Sequence, residues 1–542
     1  MTVLTAGRRA AALDALGSEF DLLVIGGGVN GLAVAWDAAL AGLRTLVVDK
    51  GDWGSGTSSW SSRMIHGGLK YLEKYDVPLV RESLRDREWL LRNAPHLVKP
   101  LPFVLPYYAD GVHPKTMLQL GMVAYDVLSF DKSVPRHRRY SRDEILKEIP
   151  GLRRSGLQGA AKYYDAQVEY SERLCVELVI AAREAGAVTL NYAGVRTLAV
   201  EGNRVVGAHV VDELTGQEYD VRAKLTVNVT GPWVDDILVG TEEAKRRWIG
   251  GTKGTHLIVE PFPGAPSSAM YYDSEDGRPM MILPWLGRYM IGSTDVRFTG
   301  DLDMTTADAD EIAYILHETN KVIPEAGLTR DSILYWYTGV RPLPYVDANR
   351  TADISRRHEI HDHAPQLEGL LSVIGGKLTT FRTLAKHTLK AARKKMPVGP
   401  SLLEQQRLPG SVTTPVALDV APALADRLRR LYGARAERVV ALMKADPTAA
   451  QVLDDRTGLV AAEVLYTMRE EEAVRLSDVI MRRVVIGWEP DLGRTAAPAV
   501  ADVMARELGW DDAQRAAEMQ DYERYLTRFT VLEESDGAAA GH

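Results

Sequence analysis

Cysteine is almost missing from this sequence: Cys175 is the only one in 542 residues. An intrachain disulfide and a thiolate metal cluster are thereby excluded, and the composition fits a reducing cytoplasm. Long apolar runs are missing too. No stretch of about 18 or more apolar residues occurs, so no spanning helix is expected. A basic excess is also lacking. Lys and Arg number 65 against 73 Asp and Glu, a net charge of −8. That balance argues against a nucleic-acid binder, and it gives no global attraction to an anionic membrane, so any membrane contact must be local. Arg8-Arg9 near the start resembles a twin-arginine signal only superficially. Asp14 and Glu19 interrupt the apolar stretch that such a signal needs, and the segment is expected to be a short disordered or helical lead-in. No internal repeat is present.

The length predicts two or three domains. Residues 22–25 form a buried-strand run, followed by a glycine turn, an apolar helix over 30–41 and a second strand at 45–48. This is a βαβ opening and implies a parallel sheet. Short β-branched strands follow over 195–229, with turns near 201–203 and 214–216. More appear between 256 and 296, as expected of a mixed sheet in a substrate domain. A boundary is expected at Leu408-Pro409-Gly410-Ser411. Beyond it, helices are predicted over 421–432, 435–444, 460–469, 476–485, 498–508 and 511–526, then a disordered tail over 531–542.

The sharpest motif is Gly26-Gly27-Gly28-Val29-Asn30-Gly31, which satisfies G-x-G-x-x-G. Its first glycine allows the tight turn, the second lets backbone approach a pyrophosphate, and the third lets the helix pack on the strand. The helix N-terminus adds free N–H groups and partial positive charge. Asp49 closes the next strand, where an acid is expected to hold a ribose hydroxyl. The hydroxyl cluster Thr57, Ser58, Ser59 and Ser62 follows, with His66-Gly67-Gly68 after it. It offers donors to phosphate and flavin oxygens. Thr230-Gly231 follows another strand. Gly375-Gly376-Lys377-Leu378-Thr379-Thr380 joins a strand at 371–374 to a helix, whose N-terminus could stabilise the charge of a reduced flavin. Two such junctions far apart suit FAD better than NAD.

These blocks, with Lys253-Gly254-Thr255-His256, Ile291-Gly292-Ser293-Thr294-Asp295 and Thr338-Gly339-Val340-Arg341-Pro342, resemble the FAD-dependent, quinone-linked glycerol-3-phosphate dehydrogenases. The resemblance runs in order over about residues 21–410. It implies a D-amino-acid-oxidase-like flavoprotein. An FAD-binding Rossmann-like domain (about 18–75, 150–235, 335–409) is interleaved with a mixed-sheet substrate domain (about 76–149, 236–334), and a helical domain covers 410–530. It also implies non-covalent FAD, oxidation of sn-glycerol 3-phosphate to dihydroxyacetone phosphate, and membrane quinone as acceptor. No metal is expected. The implied location is the inner face of the cytoplasmic membrane, bound peripherally, and a homodimer is among the assemblies left open. One departure is visible. Lys70 stands where the family usually has arginine, which keeps the charge and loses the bidentate fork.

The reaction needs a hydride acceptor, a base and cations for the phosphate. His256 is the expected base, since imidazole titrates near neutral pH; His66 is the second candidate and reads equally as a flavin contact. Arg341 could hold substrate oxygens and polarise the developing carbonyl. Lys377 could stabilise a flavin anion or the substrate alkoxide. Arg356 is the expected phosphate ligand, with Lys70 and Tyr71 as further candidates. Gly339, Arg341, Gly376, Lys377, Leu378 and Thr379 are expected to touch the cofactor. Two rival readings remain, a glycerol-3-phosphate oxidase using oxygen and a non-catalytic FAD-binding sensor; the cations and His256 together speak against the second. Residues 117–130 are the best membrane-surface candidate, flanked by Lys115, Lys132, Arg136, Arg138 and Arg139. A buried helix of the substrate domain is the other reading of this run, and the favoured one.

Overall fold

The structure is a computed structural model. It describes residues 3–532 apart from 73–74, 348–353, 355, 413 and 415, and apart from the side chains of 3–6 and of Lys70. The tail expected from 531 lies, beyond 532, outside the described residues, as do Thr413 and Pro415 near the expected boundary.

Five parallel strands build the first sheet, in the spatial order Val188–Leu190, Thr45–Val48, Phe20–Ile25, Glu218–Asn228, Leu370–Ile374. The chain lays strands first to one side of Phe20–Ile25 and later to the other. The order therefore reverses between Phe20–Ile25 and Glu218–Asn228, which opens a crevice at the strand C-termini. The run Leu22–Ile25 is apolar throughout because both faces of the sheet are covered. Leu22 and Val24 pack among residues of the helices Val29–Leu40, Ser171–Glu184 and Phe381–Ala392. Phe20, Leu23 and Ile25 face the hairpin Ala193–Glu201/Arg204–Asp212. Glu359–Asp362 adds an antiparallel edge to Leu370–Ile374.

The second sheet has ten strands. Thr252–Val259 pairs with Arg288–Gly292 on one side and Ile333–Arg341 on the other. The sheet continues through Pro279–Trp285 and Ala269–Asp273 to Val98–Tyr108 and Leu157–Val168. Leu157–Val168, grouped above with the dinucleotide-binding domain, thus belongs to the second sheet, and so do Met64–Ile65 and Ile333–Arg341. A strand's apolar pattern reports that it is buried, and its pairing partner decides in which sheet.

The C-terminal helices lie close to where the sequence puts them: Pro422–Tyr432, Ala436–Ala445, Ala461–Glu470, Ala497–Leu508 and Asp512–Leu526, with a π-helical turn at Asp478–Arg483. They are joined to the rest by buried ion pairs. Asp52 is held by Arg482 at 2.6 Å and Arg483 at 2.8 Å. Arg173 pairs with Glu471 at 2.5 Å, and Arg435 pairs with both Glu471 and Glu177. The lead-in is a helix, Val3–Ala15, anchored through Arg8 to Glu470 and Arg9 to Asp212.

The run expected at 117–130 forms the helix Lys115–Leu128, and it is not buried. Only Met122 and Tyr125 are fully buried, while Leu120, Val127 and Phe130 are 71%, 66% and 77% exposed, and Met117 and Val123 are exposed too. The favoured reading of this run as a buried helix is therefore corrected. The helix is apolar on both faces, a pattern that usually signals burial, yet protein covers only one of them. No helix among the described residues is long and apolar enough to cross a membrane.

Candidate functional site

The crevice between Phe20–Ile25 and Glu218–Asn228 opens into one large cavity of about 1990 Å³ that continues to the edge of the second sheet. Its first wall is the glycine turn. Gly26 has φ +114°, a conformation that glycine adopts without strain, and a Cβ there would lie 2.6 Å from Val229 O. Val29–Leu40 starts at Gly28 with no side-chain cap from that residue, and Gly28, Val29 and Asn30 at its N-terminus line the cavity. Gly31 does not line the cavity. A Cβ there would stand 1.9 Å from Gly26 O, so this glycine serves helix-to-strand packing.

Asp49 accepts hydrogen bonds from Gly27 N at 2.6 Å and Gly51 N at 2.8 Å, so its carboxyl also braces the turn. Burial pushes it up to about 6. Ser58 Oγ accepts from Val29 N at 3.0 Å, and Thr57 donates to Val340 O at 2.7 Å, tying this loop to the second sheet. Ser59 is corrected as a cofactor contact. It is buried and donates to Gly54 O at 2.6 Å, away from the cavity. Gly67 is corrected likewise. Its N–H serves Tyr125 OH and Asp165 in the interior. Gly68, Thr230, Gly231, Gly339, Gly376, Leu378 and Thr379 line the cavity. Thr379 Oγ1 accepts from His66 N at 3.2 Å, which joins the two junction loops. Asn30 Oδ1 is buried with no hydrogen-bond partner, beside Gly376, where a Cβ would lie 2.6 Å from Asn30 Nδ2. A buried amide oxygen without a partner, on a cavity-lining side chain packed against a glycine, fits a bound cofactor at this spot.

The cations gather at the other end. Arg341 ends the strand Ile333–Arg341, and its guanidinium donates to Ser293 Oγ at 2.7 Å, Thr294 O at 3.1 Å and Asp295 at 3.2 Å. Gly254 makes room for it, since a Cβ there would lie 2.3 Å from Arg341 Nη2. The other oxygen of Asp295 accepts from Arg356 at 3.0 Å. One carboxylate therefore orients both arginines, a role that single-sequence reading missed although Asp295 closes a quoted motif. His256 sits on Thr252–Val259 with Nε2 2.7 Å from Ser62 Oγ and its ring stacked 4.9 Å from Tyr337. Burial, with Arg341 and Arg63 nearby, pushes it down to about 3, so its imidazole is neutral in this state. Lys377 lies over Tyr71, and its Nζ has no hydrogen-bond partner. Burial and the Arg356 charge lower it to about 7. His66 is also held neutral by burial, at about 4. The side chain of Lys70 lies outside the described residues.

The chain is similar to known flavoproteins. Residues 21–382 match the family described as FAD dependent oxidoreductase, and residues 371–515 match the C-terminal domain of alpha-glycerophosphate oxidase. A glycerol-3-phosphate dehydrogenase of Synechocystis is 42% identical over 94% of this chain and 96% of its own length. The aerobic glycerol-3-phosphate dehydrogenase of Bacillus subtilis is 30% identical over 95% and 96%. The crystal structure of the glycerol-3-phosphate dehydrogenase from Bacillus halodurans complexed with FAD superposes with a TM-score of 0.79 at 26% identity, covering 97% of this chain and 98% of that one.

Proposed function

Because the chain belongs to the family of FAD-dependent glycerol-3-phosphate dehydrogenases and oxidases, we propose that it oxidises sn-glycerol 3-phosphate to dihydroxyacetone phosphate and passes the electrons to membrane quinone. The cofactor is FAD. When bound, it supplies the acceptor for the hydride from substrate C2. The observation that carries the substrate reading is the convergence of Arg341, Arg356, Lys377 and His256 on one end of the cavity. A small dianion is what two guanidiniums held by a single Asp295, with the Lys377 amine near Arg356, would hold.

In this reading Arg356 and Tyr71 take the phosphate. Arg341, fixed by Asp295 and Ser293, polarises the C2 oxygen as it becomes a carbonyl. His256 accepts the hydroxyl proton at Nε2, the nitrogen that reaches the cavity wall through Ser62. Lys377, as its cation, stabilises negative charge between substrate and cofactor. Asp49, Asn30 and the Val29–Leu40 N-terminus serve the dinucleotide end.

The apolar face of Lys115–Leu128 supports the peripheral membrane part of the proposal. Leu120, Val127 and Phe130 are more exposed than a water-facing helix would favour, and Arg136, Arg138 and Arg139 stand exposed beyond them. An apolar face flanked by cations suits the interface of an anionic bilayer.

The test is anaerobic mixing with glycerol 3-phosphate. Bleaching of the flavin is expected; unchanged absorbance would remove the substrate assignment. Peroxide yield measured beside quinone-dye reduction then decides the acceptor, with dye reduction expected to dominate.

A further inference from the structure

Away from the cavity described above, two histidines of the first sheet's edge meet a glutamate. His361 is in the edge strand Glu359–Asp362, and His363 follows two residues on. Glu243 comes from the short turn Glu242–Lys245 beyond Glu218–Asn228. One ligand-type atom from each lies within 4.8 Å of the other two. The side chain of His363 is 0% exposed, that of Glu243 14% and that of His361 26%. The cluster is therefore closed on the protein side and open through His361. A cleft of about 380 Å³ lined by Glu243, Trp248, His361 and Asp362 gives access.

The ring of His363 supplies the second observation. Its Nε2 lies 2.8 Å from Ser372 Oγ on the neighbouring strand. Its Nδ1 is buried, stands 3.3 Å from Glu243 Oε2, and still makes no hydrogen bond. A buried imidazole nitrogen facing a carboxylate at ion-pair distance, out of hydrogen-bond alignment, is better served by an ion that both can ligate. A ring held from behind through one nitrogen, with the other turned toward further ligands, is the arrangement of a metal-binding histidine. Trp248 packs 4.2 Å from the His361 ring and 5.3 Å from the His363 ring, which walls the site on one side.

We propose that His361, His363 and Glu243 form a site for a divalent transition metal, Zn²⁺ being the ion that this donor set suits. Zn²⁺ takes imidazole nitrogen and carboxylate oxygen at about 2.0–2.2 Å in tetrahedral geometry, so adjacent donors stand roughly 3.3 Å apart. The His363–Glu243 pair already has this separation, and a small inward rotation of the half-exposed His361 completes the set. Water entering through the cleft takes the fourth position. The ion would fasten the edge strand to the turn at Glu242–Lys245. That strand directly follows Arg356, Arg357 and His358 in the chain, so its anchoring bears on the segment that carries a substrate arginine.

The experiment uses the FAD-loaded enzyme, stripped with chelator and titrated with Zn²⁺ against a chromophoric competitor, with thermal unfolding recorded in parallel. About one tight equivalent per chain and a raised unfolding temperature are expected. His361→Ala changes a partly exposed side chain and should fold. It should lower Zn²⁺ affinity roughly tenfold or more and abolish the thermal shift, with flavin content unchanged. His317→Ala, in the more exposed group Glu275, His317 and Glu318, should bind like wild type. Equal binding by wild type and His361→Ala, loss of binding in His317→Ala instead, or no tight equivalent at all would each overturn the proposal.

Discussion

Lys377 Nζ lies 3.8 Å from the centre of the Tyr71 ring. The amine is buried, pushed down to about 7, and without a hydrogen-bond partner. It is cationic below that value and neutral above it. If the cation holds substrate charge, affinity for glycerol 3-phosphate is present below pH about 7 and fades as pH rises through it, with the bound dianion shifting the step upward. The pH profile of kcat/KM checks this. Lys377→Arg, whose charge is fixed, should flatten the step. A rise of activity through the same range would instead make the free amine the proton acceptor and displace His256.

Arg356→Ala removes one of the two guanidiniums held by Asp295. The loss of a charge-assisted contact should cost roughly 1.5–3 kcal/mol, about a ten- to hundredfold rise in KM. The variant should also lose most of its preference for glycerol 3-phosphate over glycerol. Steady-state kinetics with both substrates measures it, and an unaltered preference sinks the phosphate role.

His256→Ala should keep FAD and slow flavin reduction by roughly 10²–10⁴-fold, the range for loss of a general base. Rapid mixing under anaerobic conditions reports the step directly. Reduction at wild-type speed would remove the imidazole from the chemistry.

Gly31→Ala should weaken FAD binding. The new Cβ would stand 1.9 Å from Gly26 O, and relieving that overlap moves the helix off the strand at roughly 1–3 kcal/mol. Acid precipitation of the wild type should release yellow flavin into the supernatant, as expected of a non-covalent cofactor. The variant should purify with less flavin. Flavin retained in the acid pellet would contradict non-covalent binding.

Replacing Leu120 and Val127 together with Asp should weaken sedimentation with anionic vesicles while dye-linked activity persists. Burying such side chains is worth roughly 1.5–3 kcal/mol each. Changing Arg136, Arg138 and Arg139 to Glu should weaken it further, by about 1 kcal/mol per charge. Vesicle binding unaffected by both sets would mean that another surface makes the contact.

What could be read from the sequence follows the range of the interactions involved. The glycine turn at Gly26–Gly31, the junction at Gly375–Gly376 and the C-terminal helices are set by residues near one another in the chain, and their signals are local. The Asp295 bridge to Arg341 and Arg356 joins three separated segments, so no local pattern announces it. Ser59 and Gly67 share a motif with cavity-lining neighbours, and the motif alone gives them the same expectation. A one-residue step turns a group from the cavity into the interior, and only the fold shows which way each points. Lys115–Leu128 reads as buried because apolar periodicity records a preference to leave water and is silent on what takes water's place.

The ion pairs of Asp52, Arg173 and Glu177 with the C-terminal helices bear on how the molecule melts. Asp52 is three positions along the chain from Asp49 and is wholly enclosed by Arg482 and Arg483. Removing the chain beyond about residue 410 would take from Asp52, Arg173 and Glu177 both their counter-charges and the surface that buries them; breaking one such pair within the intact fold costs about 3–5 kcal/mol. Two family descriptions divide the sequence, but the division is not a seam along which the molecule can come apart. Calorimetry of the intact chain should show one cooperative transition, and FAD bound at the glycine turn should raise the melting of the C-terminal helices together with that of the two sheets.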